Sequence, residues 1–424
     1  MKIIPLVKTM RMKTLLITGA TGFLGGCLTS KYLEEGYRLR IIARNLRGLP
    51  LKEKMDKIFP DKTTEERNAF SDRIELLEGD ISTENLGLSE ADYLRLAGTV
   101  DMVVHCAAAT KFENDANDIL TQTNIYGSLH VAGFCVRKKV KRFHYVSTAY
   151  VAGNRRGTIF EHELEKGQKF NNNYEQSKYE AERRISSFAK QQGIPLTVYR
   201  PSIIAGDSIT GYTKNYDNIY AFCRELVCLN DYETRRKSGN DSLIQGRHEV
   251  RPVSLRIPGD KHSTINLIPI DYATNAIFHI SKQEEAAGKI FHIVNPTPPT
   301  IEEIAEWLKV ATGIYRVRVV PQHEFSASAP NALEKSFFRR NKAFQPYMFG
   351  EACFDSANTR AFLAGANIDC PLITQEFISR SIQYAIQTKW GKKGADREYR
   401  EREYEVEGTG DHQKTGNNSL VSNI

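Results

Sequence analysis

The chain has 424 residues, of which 41% are hydrophobic and 26% charged, with a formal net charge of +7. Such composition excludes a disordered chain, a collagen-like repeat and a disulfide miniprotein, and the length fits one large α/β unit or two domains. The longest apolar runs, such as Leu15 to Ile17, fall far short of the ~20 residues that cross a bilayer.

Residues 1–12 read as a short leader. Its apolar stretch is broken by Pro5, Lys8 and Arg11, too early for the roughly 7–15-residue core of a signal peptide, so a cytoplasmic protein is expected. Lys13 to Thr18 is nearly all apolar, as in a parallel strand covered on both faces. The glycine-rich run Gly19 to Gly26 follows, then a helix to about Glu35, closed by Gly36. Tyr37 to Ala43 predicts a second strand and Leu49 to Asp72 a charged helical insertion. Further strands are expected at Ile74 to Glu78, Met102 to His105, Phe143 to Ser147 and Leu196 to Tyr199, separated by amphipathic stretches at Ile119 to Val136 and Glu175 to Gln191. Strand alternating with helix predicts an α/β, Rossmann-type, doubly wound parallel sheet, with an NADP-binding domain over 13–205.

After Arg200 the rhythm loosens. Residues 206–390 are expected to form a smaller, interleaved C-terminal substrate-binding region, with a helix around Ile219 to Leu229 and a polar insert at 233–261. Segments Ile265 to Ile268, Asp271 to Lys282 and Lys289 to Val294 should return 265–300 to the Rossmann sheet. Helices are expected at Ile301 to Thr312 and about Thr374 to Lys389, and 391–424 as a disordered polar tail. The seven cysteines show no CxxC spacing, so free thiols and no metal site are expected.

Gly19, Gly22 and Gly25 form G-x-x-G-x-x-G between a strand and a helix. Small residues there let backbone approach a pyrophosphate at the positive end of a helix. Thr21, Phe23 and Leu24 belong to the same turn, so all but the last glycine are cofactor-binding candidates. Arg44 ends the second strand, with Arg47 nearby and no acid before them. An arginine at that place accommodates a 2′-phosphate, which favours NADP over NAD. Asp80 and Ile81 close the third strand, where the carboxylate could accept from an adenine amino group. Ala107 and Ala108 close the fourth, small enough for a flat cofactor to lie against the backbone. His105 reads as a buried structural residue.

Tyr174 and Lys178 are spaced i, i+4 and so share a helix face. A nearby cation lowers a phenol from its ordinary pKa of about 10, and such a tyrosine can protonate a carbonyl oxygen. A third hydroxyl should come from the end of the fifth strand, with Thr148 preferred over Ser147.

With these motifs together, the chain resembles an extended short-chain dehydrogenase/reductase. It is most similar to the thioester reductase branch, the terminal reductase domains of nonribosomal peptide synthetases and carboxylic acid reductases, with fatty acyl-CoA reductases as cousins. The closer match lies in Arg73 to Asp80 with Asn85 to Tyr93, in Tyr199 to Gly211, and in Phe354 to Asn358 leading into Cys370. The resemblance implies a catalytic Thr148, Tyr174 and Lys178, with Lys178 also on the nicotinamide ribose, Pro201, Ile203 and Ile204 along the nicotinamide, and Asn124 propping the site. It implies NADPH-dependent reduction of a carrier- or CoA-bound acyl thioester to an aldehyde or alcohol, as in natural product biosynthesis. No adenylation or carrier region is apparent, so the thioester is expected in trans.

The alternative is another extended member acting on a nucleotide sugar or a free ketone or aldehyde, which would share the trio and differ after Gly206. A non-enzymatic NADP sensor would usually lose the Tyr or Lys. Nucleic-acid binding predicts a basic stripe with stacking aromatics; the clusters Arg137 to Arg142 and Arg235 to Lys237 do not extend into one. The insert's Arg235, Arg236, Lys237, Arg247, Arg251 and Arg256 could instead form a dock for an acidic carrier or the phosphates of CoA.

Overall fold

The computed structural model describes residues 12–44, 48–59, 62–96, 98–110, 118–238 and 255–391, excepting the side chains of 51, 52 and 229–238. The expected leader apart from Met12, the tail beyond Gly391, and Arg47, Arg247 and Arg251 lie outside the described residues.

Five fully buried residues make β1 (Thr14–Thr18), and α1 (Phe23–Glu34) follows after one tight turn. Next come β2 (Arg38–Ala43), α2 (Leu51–Ile58), α3 (Thr64–Ser71) and β3 (Ile74–Glu78). The expected single insertion is thus two helices. Thr63 starts the second with a reciprocal capping box to Glu66. After α4 (Glu90–Arg95) and β4 (Met102–His105), a π-helical stretch, Thr121–Tyr126, runs into α5 (Gly127–Arg137). Then follow β5 (Arg142–Val146), β6 (Thr158–Ile159), α6 (Asn173–Gln192), β7 (Leu196–Pro201) and β8 (Ile203–Ala205).

The C-terminal half comprises α7 (Ile219–Ser238), β9 (Leu255–Pro258), β10 (Leu267–Pro269), α8 (Ile270–Ser281), β11 (Ile290–Ile293) and α9 (Ile301–Thr312). It continues through β12 (Val317–Val320), α10 (Gln322–Ser326), α11 (Ala332–Arg340), a 3-10 segment Lys342–Phe349, β13 (Cys353–Phe354), α12 (Ala357–Leu363) and α13 (Gln375–Gln387).

Seven strands form one parallel sheet in the order β3-β2-β1-β4-β5-β7-β11. Strand order reverses between β1 and β4, the crevice where open α/β sheets bind ligands. One face packs Leu15, Ile17 and Ile41 beneath α1 and α8; the other packs Leu16, Val103 and Phe143 beneath α5 and α6. β11, the last strand of the sheet, comes from beyond residue 265. The other short strands pair β10 with β8, β12 with β9 and β13 with β6. Part of the polar insert is therefore ordered: α7 reaches Ser238 and β9 is a paired strand. Among the described residues, no helix is long and apolar enough to cross a membrane, and no cluster of His, Cys, Asp and Glu could hold a metal.

Candidate active site

The turn from β1 into α1 depends on glycine at two positions. Gly19 has φ +82°, and a Cβ there would sit 2.5 Å from the Ala107 nitrogen. A Cβ on Gly25 would sit 2.1 Å from the Gly19 carbonyl oxygen. Helix α1 has no side-chain cap and no acid in its first turn, which leaves its N-terminal dipole available to an anion. Beneath the turn, buried His105 bridges Thr18 Oγ1 at 2.7 Å and Ser128 Oγ at 2.8 Å, and burial lowers its pKa to about 3. It stays neutral and structural, as the sequence suggested.

Helix α6 carries the Tyr/Lys pair. Asn172 caps its start, accepting from the Glu175 N–H at 2.9 Å, and left-handed Gly193 ends it. Lys178 is buried, donates from Nζ to the Val146 carbonyl at 2.8 Å, and lies 4.4 Å from the Tyr145 ring centroid. Burial lowers its pKa to about 8. Tyr174 shares a hydrogen bond with the Thr148 hydroxyl. The expected lowering of the phenol is reversed: burial pushes Tyr174 above its ordinary range. The phenol is therefore held protonated, the form a proton donor needs.

Ser147 and Thr148 take different partners. Ser147 Oγ donates to Glu182 at 2.5 Å, and Glu182 forms a buried ion pair with Arg200, also 2.5 Å. Thr148 is left facing Tyr174. Asn124, in the π-helical stretch, accepts from Ala109 N at 2.8 Å and donates to the Ala109 carbonyl at 3.0 Å and Ser177 Oγ at 2.9 Å. That ties the end of β4 to the helix carrying Lys178. A π-bulge at such a place is a frequent mark of function.

The glycine turn, Thr148, Tyr174 and Lys178 open on one cavity of ≈ 700 Å³. Its wall brings together Gly19, Gly22, Phe23, Leu24, Ala108, Thr148, Tyr174, Lys178, Pro201, Ile203 and Ile204. Thr21, Arg44, Asp80, Ile81 and Ala107 lie outside that wall. Arg44 and Asp80 stand at the ends of β2 and β3, their side chains 3.8 Å apart and 60% and 35% exposed. Asp80 also accepts from Ser82 N at 2.9 Å, and Ile81 is buried. Thr21 is exposed on the loop.

Three residues of the wall, Tyr150, Glu175 and Tyr347, were missed in the sequence. Tyr150 donates to Glu351 at 2.8 Å, Tyr347 donates to Glu175 at 2.5 Å, and Asn172 Nδ2 donates to Tyr347 Oη at 2.8 Å. Burial raises the pKa of Glu351 to about 8. Tyr347 thus joins the 3-10 segment to the first turn of α6. The only local signal was Glu175 beside Tyr174, because Tyr347 lies in a stretch without periodicity. The dock of basic residues also needs correction. Arg256 pairs with buried Glu334 at 2.9 Å, so it is a structural cation, and the side chains of Arg235, Arg236 and Lys237 lie outside the described residues.

The glycine turn, the small strand ends and the cavity reaching Lys178 fit a nicotinamide dinucleotide. Residues 17–277, more than half of the chain, match the NAD-binding family described as male sterility protein. A linear gramicidin synthase of Brevibacillus parabrevis is 26% identical over 389 residues, which cover 88% of this chain and 7% of that protein. The carboxylic acid reductase of Segniliparus rugosus is 25% identical, covering 70% of this chain and 25% of that protein. This chain therefore spans a quarter or less of the length of these curated relatives. The terminal R domain from the myxalamid PKS-NRPS biosynthetic pathway shares the fold, with a TM-score of 0.72 at 24% identity, covering 91% of this chain and 93% of that one. The chain belongs to the male sterility protein family and shares the fold of the terminal R domain.

Proposed function

We propose that this protein is an NADPH-dependent reductase of acyl thioesters, carried by an acyl or peptidyl carrier protein or by CoA, that releases an aldehyde or alcohol. The observation that carries this reading is the opening of Thr148, Tyr174 and Lys178 onto the same cavity as the glycine turn. The turn and the first N–H groups of α1 would hold the pyrophosphate, Arg44 the 2′-phosphate, Asp80 and Ile81 the adenine side, and Pro201, Ile203 and Ile204 the nicotinamide. NADPH, when bound, supplies a hydride for the thioester carbonyl carbon.

Thr148 and Tyr174 hydrogen-bond the carbonyl oxygen, and the Tyr174 phenol gives its proton to that oxygen. The tetrahedral adduct then collapses: its hydroxyl proton returns to Tyr174 as the carbonyl re-forms, the C–S bond breaks, and the leaving thiolate takes a proton from solvent and departs as a free thiol. Lys178, beside the phenol, supplies positive charge as Tyr174 loses its proton and holds the nicotinamide ribose. One thioester and one NADPH with a proton thus give one aldehyde, one thiol and NADP⁺; a second hydride would give the alcohol.

A nucleotide sugar needs many hydrogen-bond partners, whereas the wall beyond Tyr174 is largely aliphatic, which favours the acyl reading. The test compares wild type and Tyr174→Phe on an acyl-CoA with NADPH. General acid catalysis is worth about 10²–10⁴ in rate, so the variant should lose turnover by that factor while retaining cofactor binding. Undiminished turnover would assign the proton to another group.

A further inference from the structure

Besides Tyr174, two tyrosines stand on the cavity wall, and their hydroxyls are held differently. Tyr347 donates to Glu175 at 2.5 Å and accepts from Asn172 Nδ2 at 2.8 Å. Glu175 also accepts from the Asn171 N–H at 2.8 Å, so the Tyr347 phenol is committed on both sides. The Tyr150 hydroxyl meets Glu351 Oε2 at 2.8 Å. Its ring lies edge-on to Tyr347 and Phe354, and its backbone N–H donates to Thr148 Oγ1 at 3.3 Å. Tyr150 is thus rooted two residues from the hydroxyl that faces Tyr174.

Glu351 is a neutral acid in this setting. Its Oε1 atom is buried and makes no hydrogen bond of good geometry, a position that an ionised oxygen does not hold without a donor. Burial raises its pKa to about 8, outweighing Tyr150, the Asn266 backbone and Arg156, which act the other way. A protonated carboxyl donates as well as accepts. When Glu351 is the donor across the 2.8 Å contact, the Tyr150 hydrogen is free to turn into the cavity.

The departing sulfur needs such a proton. The three cations on the wall are engaged: Lys178 with the Val146 carbonyl at 2.8 Å, Lys309 with Glu306 at 2.6 Å and Arg340 with Glu225 at 3.1 Å. A thiolate leaving into this largely apolar cavity has none of them to itself, and an unpaired charge away from water is costly.

We infer that Tyr150, backed by Glu351, is a second proton donor of this site, acting on the leaving sulfur as Tyr174 acts on the carbonyl oxygen. As the C–S bond breaks, its electron pair stays on sulfur, the Tyr150 O–H proton passes to that sulfur, and the Glu351 carboxyl proton passes to the Tyr150 oxygen. Solvent then restores the Glu351 proton, so the proton that the thiol takes from solvent arrives through this pair. The inference rests on the thioester-reductase reading.

The test follows thiol release by the full chain with NADPH, in single turnover, from octanoyl-pantetheine and from S-phenyl thiooctanoate. Thiophenolate is a stable anion that leaves with little help, whereas the alkyl thiolate of pantetheine depends on a proton. In Tyr150→Phe, pantetheine release should slow by about 10²-fold or more, the worth of a general acid, and thiophenol release by less than about tenfold. Glu351→Gln keeps the shape but yields no proton, and should show the same split. Equal slowing of both thiols, or undiminished pantetheine release, overturns the role of Tyr150 while the thioester reading stands. Reduction of octanal by wild type with neither thioester reduced removes both.

Discussion

The Lys178 ammonium donates to the Val146 carbonyl at 2.8 Å, fastening α6 to the end of β5 where Ser147 and Thr148 begin. Both side chains of the helical pair are buried, and the loss of water around them acts in opposite senses. It raises the Tyr174 pKa and lowers that of Lys178 to about 8.

Turnover should therefore fall as pH rises through about 8, where Lys178 loses its proton. The same shift acts on stability with the opposite slope. The unfolded lysine, near its ordinary 10.5, binds more protons than the folded one between about 8 and 10.5. Its contribution is thus present above 10.5 and is lost as pH falls through 8. A kcat profile rising steadily from pH 7 to 10 contradicts this.

Glu351 shows the complementary case. Its pKa is raised from 4.5 to about 8 by burial, so its contribution to stability is present below 4.5 and is lost as pH rises through 8. Replacing it by Gln should flatten the fall of Tm between pH 5 and 9. Identical pH slopes in wild type and Glu351→Gln would remove this carboxyl from the account.

Gly25→Ala would place a methyl group 2.1 Å from the Gly19 carbonyl oxygen, and backbone must move to admit it. Strain of this kind costs about 1–3 kcal/mol. Thermal unfolding should show a lower Tm, and titration a weaker affinity for dinucleotide. Unchanged values for both would mean that the turn is not closely packed.

Arg44 is exposed, and its side chain is 3.8 Å from Asp80. A hydrogen bond to a charged group is worth about 1.5–3 kcal/mol, so Arg44→Ala should weaken NADPH about 10- to 100-fold and NADH little. Equal affinities for the two cofactors in wild type would remove Arg44 from that role.

Legibility in the sequence followed local physics. The strand at Thr14–Thr18 stood out because all five residues are buried, and no polar alternation blurs it. The helix Ile301–Thr312 matched to the residue because Thr300 and Glu303 box its start and Gly313 ends it in the left-handed conformation. The pairing of Leu255–Pro258 with Val317–Val320 was not legible: each strand has four residues, and their contact is set by tertiary packing. Arg256 read as a free cation for the same reason, since its partner Glu334 is distant in the chain. Spacing placed Tyr174 and Lys178 on one face, but the direction of the phenol's shift depends on how deeply the fold buries it.

The central claim is best tested by stoichiometry. Wild-type protein, NADPH and octanoyl-CoA are incubated together, and NADPH consumed, free CoA thiol released and octanal plus octanol formed are measured in one reaction. The account predicts one thiol per acyl group reduced, with one NADPH per octanal and two per octanol. Unreacted octanoyl-CoA and octanoyl-carrier alongside steady conversion of a nucleotide sugar or a free ketone by the same protein would contradict it.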